Sequence, residues 1–169
     1  MSYTKFKLNV SKKLKPIQRE ALAKEVIDFI INRSRKGFDK NNKPLPGYSD
    51  SYIKSLDFKI AGKSKGDVNL TLSREMLESL SLLSHRSGEI HIGYEAGTPL
   101  AAKVEGNVRG TYGQSKPIRG KKRDFLGITQ ADLRPLKEKV ADLDDATAIL
   151  EEQSEARSAS DATKSEDAD

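Results

Sequence analysis

The chain predicts an α+β fold: a long N-terminal helix packed on an antiparallel sheet, with long loops, a C-terminal helix and a disordered acidic tail. Three observations carry that expectation. Lys5-Phe6-Lys7-Leu8-Asn9-Val10 alternates with period two, which places Phe6, Leu8 and Val10 on one face of a half-buried strand. From Pro16 the apolar positions Leu22, Val26, Phe29 and Ile30, widened by Ile27 and Ile31, recur at helical spacing. After Leu150 no large apolar residue follows, so 151–169 cannot repay the cost of ordering and 1–150 forms the single domain.

Each element then has its own signal. Pro16 suits the first turn of a helix that runs to Ser34 or Arg35, where basic side chains favour the C-terminal dipole and Gly37 stops it. Asp39 to Tyr48 is rich in turn residues, and Ser49 can cap a short helix through Ile53 and Leu56. Phe58-Lys59-Ile60 and Val68-Asn69-Leu70 read as strand-like flanks of a flexible insert over Ala61 to Gly66. Ser73 caps a helical turn that contains Met76, Leu77 and Leu80. Leu82 to His85 and Glu89 to Tyr94 form two strands around Ser87-Gly88, with Ile90 and Ile92 buried. A short helix is predicted from Pro99 to Val104, and Gly106 to Gly120 reads as an exposed mobile loop. Phe125 to Ile128 returns to the core. Thr129 and Asp132 then open a final helix through Leu133, Leu136, Val140 and Leu143.

Composition narrows the chemistry. There is no cysteine, which removes disulfides, thiolate zinc sites and a cysteine nucleophile together. No apolar run approaches a membrane span and the first ten residues lack a signal peptide's apolar stretch, so the expectation is a soluble protein that is neither exported nor membrane-bound. His85 and His91 fall in predicted strands with no carboxylate cluster beside them, and read as satisfied or surface histidines. Phosphate-loop, dinucleotide, zincin and hydrolase motifs are missing, and Asp142, Asp144 and Asp145 lack a calcium loop's spacing. No catalytic, cofactor or metal residue nominates itself, and the chain reads as a non-enzyme.

Charge is segregated. The net +5 hides a tail, 151–169, in which seven acids face Arg157 and Lys164, giving −5 and leaving the body at +10. The informative run is Arg109, Lys116, Arg119, Lys121, Lys122 and Arg123, with no acid before Asp124. A glycine-rich loop carrying such groups can follow phosphates by counterion displacement, without reading sequence. A second run, Lys5, Lys7, Lys12, Lys13, Lys15 and Arg19, precedes the first acid, Glu20. For either run a solvated surface or an anionic protein interface is the reading placed slightly ahead of direct DNA contact.

Several strings, taken in order, resemble the phage virion-morphogenesis or tail-completion proteins, which join tail to head. The resemblance spans Ile27 to Leu136. Its pieces are Asp39 through Gly47-Tyr48-Ser49 and Tyr52; Leu70-Thr71 followed by Met76-Leu77-Glu78-Ser79-Leu80; Ile90-His91-Ile92-Gly93-Tyr94; Ala101-Ala102-Lys103-Val104-Glu105-Gly106; and Phe125-Leu126-Gly127-Ile128. Arg123-Asp124 stand where members of that family usually carry a proline, and the acidic tail is additional. The resemblance implies a non-enzymatic structural protein of the virion neck or tail, assembled in the host cytoplasm. It further implies a homo-oligomeric ring, a hexamer with a dodecamer as the alternative, seated on neighbouring neck, connector or tail-tube proteins and in non-specific contact with packaged DNA. The loop holding Asp39, Lys43, Pro46, Gly47 and Tyr48 is the candidate interface, and the basic run the candidate channel or partner surface. The competing reading is a sequence-independent nucleic-acid-binding module.

Overall fold

The computed structural model describes residues 2–66, 68, 70, 75–111, 122–141 and 143. In chain order they form β1 (Lys5–Asn9), α1 (Pro16–Arg35), α2 (Asp50–Ile53), α3 (Leu56–Ile60), α4 (Glu75–Glu78), β2 (Ser81–Arg86), β3 (Glu89–Gly93), α5 (Pro99–Arg109) and α6 (Gln130–Ala141). The architecture is α+β, with a long N-terminal helix, a small antiparallel sheet and a C-terminal helix. Three strands lie in the order β1-β3-β2, so β3 is central and β1 and β2 carry the edges.

The periodicities explain the core. Leu8 from β1, Leu22, Val26 and Ile30 from α1, and Ile90 and Ile92 from β3 belong to one buried cluster, as period two and period 3.6 require. Val104 from α5 and Leu133 and Val140 from α6 complete it. Full burial of one such side chain is worth roughly 1.5–3 kcal/mol, so α1, which contributes several and packs on the sheet and α6, organises the fold. Gly93 sets the register of β1 on β3, where Lys5 faces Gly93. A Cβ at Gly93 would stand 2.4 Å from Thr4 O and 2.6 Å from Lys5 Cα, a separation only glycine permits.

Three expectations are corrected. Phe58-Lys59-Ile60 is helix α3 rather than strand: the Ser55 hydroxyl accepts from Phe58 N at 3.2 Å and Asp57 sits in the first turn, so a capped turn overrides a three-residue alternation. Its Leu56 and Ile60 are 70% and 75% exposed. Val68 and Leu70 lie in no strand, Leu70 at φ +54°, and Asn69 and Ser73 fall outside the described residues. Helix α5 runs on to Arg109 instead of stopping near Val104. Thr98 caps it, Ala101, Val104 and Val108 hold one buried stripe, and Gly110 in the left-handed region ends it, so Gly106 to Arg109 are helix rather than loop. The rest of the loop, 112–121, and the acidic tail lie outside the described residues.

Candidate docking surface at the edge of the sheet

The site grows from an arginine on an apolar stripe. Positions 22, 26, 30 and 33 of α1 succeed one another at helical spacing, and the last is Arg33, only 5% exposed. Its Nη2 donates to Phe125 O at 2.7 Å and Gly127 O at 2.8 Å, and its Nη1 to Lys40 O at 3.4 Å. The guanidinium also lies 5.6 Å from the Phe29 ring centroid. Burial pulls the Arg33 pKa down, and Asp132, Asp39 and Asp124 oppose that pull. A charge so placed is kept by the hydrogen bonds that its two Nη nitrogens donate.

Those bonds explain why Phe125 to Ile128 is not a strand. Carbonyls two residues apart on an extended chain point the same way, and here both point at Arg33. Gly127 at φ +146° bends the segment in a way other residues avoid. Phe125 is fully buried and Leu126 nearly so, so the segment belongs to the core while its backbone is held by a side chain and not by a ladder.

The predicted interface loop closes against this same segment. The Asp39 carboxylate accepts from Asn41 N and Lys43 N, each at 2.8 Å, and Asp39 N donates to Lys43 O at 2.8 Å. Asn42 takes the left-handed conformation that such a turn needs, and Phe38 bridges to Pro44. Lys40 N donates to Asp124 O at 2.8 Å, Lys40 Nζ pairs with Asp124 Oδ2 at 2.6 Å, and Asn42 Nδ2 donates to Asp132 Oδ2 at 2.8 Å. Lys43 and Gly47 are exposed, and Pro46 and Tyr48 half-buried.

Arg123 pins the far end of the loop. Its guanidinium carbon lies 5.4 Å from the Tyr48 ring centroid and its Nη2 donates to Gly47 O at 3.5 Å. Lys63 approaches the Tyr48 ring at 5.1 Å and its hydroxyl at 2.9 Å. Tyr48, Tyr52 and Phe58 form a cluster with centroids 5.2–5.5 Å apart. Burial lowers the Arg123 pKa, and Arg123 N donates to Asn107 O at 2.9 Å, a bond a proline there could not make. Arg123 is thus held inward by the protein.

The other basic residues divide. Arg109, on the last turn of α5, pairs with Glu105 at 2.9 Å and stands 5.2 Å from the Tyr3 ring centroid. Lys122 is exposed and has no carboxylate partner among the described residues, and the same holds for Lys5 on β1. Lys116, Arg119 and Lys121 lie outside the described residues. Arg19, read as part of a basic surface run, is 9% exposed: its guanidinium donates to Leu14 O and approaches His85 Nδ1 at 3.4 Å.

Between the outer edge of β1 and residues 126–130 runs an open groove. Two adjoining hollows of about 640 and 340 Å3 share Phe6, Lys40 and Leu126 in their walls. Lys5, Lys7, Lys40, Arg109 and Lys122 line them, against Asp124 alone among acids. Lys7 also pairs with Glu89 at 3.1 Å, and Lys7 first and His91 second hold the Glu89 carboxyl below its usual range.

Both histidines sit beside a carboxylate, His85 Nε2 3.2 Å from Glu20 and His91 Nε2 3.4 Å from Glu89. Among the described residues no group of His, Asp and Glu could hold a metal ion, and no helix is long and apolar enough to cross a membrane. No protein-family model, curated protein or solved structure matches the chain. The resemblance to tail-completion proteins therefore rests on the ordered strings themselves.

The sequence reading took the basic side chains at the end of α1 only as favourable to the helix dipole and did not single out Arg33. The signal was present: a basic residue that continues a four, four, three apolar stripe faces the core and must find acceptors there.

Proposed function

We propose that the chain is a structural protein of a phage neck or tail end, which joins tail to head by closing into a ring and docking on adjacent rings. The observation that carries this reading is convergence. The loop of Asp39 to Tyr48 and the segment of residues 122–127 are some eighty residues apart in sequence, yet backbone bonds, the Lys40–Asp124 pair and Arg33 bring them to one sheet edge. A prefolded, basic, loop-built surface beside a strand edge that no described strand pairs is what a heterologous, ring-closing contact uses. The single domain over 1–150 and the trailing acidic tail belong to the same reading. Electron cryomicroscopy of particles assembled with this chain tests it. A closed ring of this fold at the head–tail junction is the expected density, and particles that complete their necks without the chain would refute the proposal.

The body's charge of +10 supports a second reading, non-specific nucleic-acid binding. Substitution of Lys121 and Lys122 by Glu separates the two, Arg123 being left in place because it holds Tyr48 and Gly47. Loss of salt-sensitive DNA binding would favour the second reading, and failure of the wild-type chain to bind DNA removes it.

A further inference from the structure

We infer that the acidic segment 151–169 docks in cis along the basic groove beside β1 and occupies it until an assembling partner displaces it. The groove and the segment are complementary in sign and number. Five cationic side chains face one carboxylate in the groove, and the segment holds seven acids against two bases. Lys5 and Lys122, which have no carboxylate partner among the described residues, stand ready to take new ones without breaking an existing pair.

Connectivity brings the two together. Gln130, the first residue of α6, itself lines the groove. The twelve residues of α6 carry the chain away by about 18 Å at about 1.5 Å each. The eight steps from Leu143 to Glu151 can span back about 26 Å at about 3.3 Å each. Tethering of this kind gives an effective concentration on the order of millimolar, enough for several weak, solvent-screened ion pairs to hold together. The segment has no large apolar residue, so docking is electrostatic and releasable. It keeps a basic, half-apolar groove with an open strand edge from adhering to wrong anions or to other copies before assembly.

The absence of cysteine makes the test clean. In the full chain, Ser160→Cys carrying a nitroxide label gives a single paramagnetic probe within the segment. In about 0.01 M salt, amides of residues 5–9 and 122–128 lose at least half their intensity, β1 is broadened more than β2, and about 1 M salt restores the signals. A second variant that adds Gln or Asn at the seven acids abolishes the broadening while the spectrum of the body is unchanged. Three results would overturn the inference: groove amides untouched at low salt, broadening that survives neutralisation of the acids, or broadening that appears only when labelled chains are mixed with isotope-enriched ones, which would mark the tail of a second copy. None of these bears on ring formation, which is read from the particle.

Discussion

The middle of α1 and its C-terminal end hold their neighbours by different physics. Leu22, Val26 and Ile30 join the sheet through apolar contact, and Arg33, one turn further, joins two irregular segments through a guanidinium. The first kind of contact is non-directional and tolerates repacking. The second specifies which carbonyl sits where, and loses nearly everything when the fork is altered. The fold thus combines a core that makes the domain stable with a polar hub that gives one face its shape.

The largest expected effect tests the apolar half. Ile90→Ala empties a fully buried position on the central strand and is expected to cost about 4 kcal/mol in denaturant unfolding, lowering protection across the whole domain. Arg33→Met comes next. It leaves the Phe125 and Gly127 carbonyls buried without a donor, at about 1–3 kcal/mol each. Hydrogen exchange sharpens the comparison: the amides of Asp39, Lys40 and Leu45 lose protection before those of β3. Equal loss in both regions would break the distinction between hub and core. Arg33→Lys keeps the charge but not the fork, and is expected to behave like the Met variant.

A smaller effect concerns Tyr94, whose hydroxyl donates to Met76 O at 2.6 Å. Tyr94→Phe costs about 1–2 kcal/mol at neutral pH. Burial raises the Tyr94 pKa above its ordinary 10.0. The folded state therefore holds its proton where the unfolded chain releases it, so this stabilisation is complete below pH 10 and is lost as pH rises toward the folded value. Ultraviolet titration should show a tyrosine signal that stays silent until unfolding, and that signal should be missing in the Phe variant. The smallest effect is at the surface. Lys40→Ala removes a half-exposed pair with Asp124 and costs less than about 1 kcal/mol, an amount that shrinks as salt is added.

What was legible in the sequence follows the same division. Repeating signals were read well: the alternation of β1, the stripe of α1, the Gly88 hairpin and the Thr129 cap all appear in the structure. Short signals failed. Three alternating residues at 58–60 could not outweigh a Ser55 cap, and Gly106 was taken for a helix breaker although it is buried inside α5. The candidate loops were found from their turn residues and charge, but their meeting was not, because it depends on Arg33 and Lys40 reaching segments about ninety residues away. Charge counting also overstated the basic surface, since Arg19 and Arg123 spend their guanidinium groups on the protein itself.

Cross-linking mass spectrometry on assembled particles tests the central claim most directly, that one prefolded basic edge is where this chain grips its surroundings. The account predicts that Lys5, Lys40, Lys43 and Lys122 carry the links to other copies and to neighbouring proteins, and that Arg33→Met removes those links and the chain's place in the particle together. Links concentrated on the opposite sheet edge at β2, with normal incorporation of the Arg33→Met chain, would contradict it.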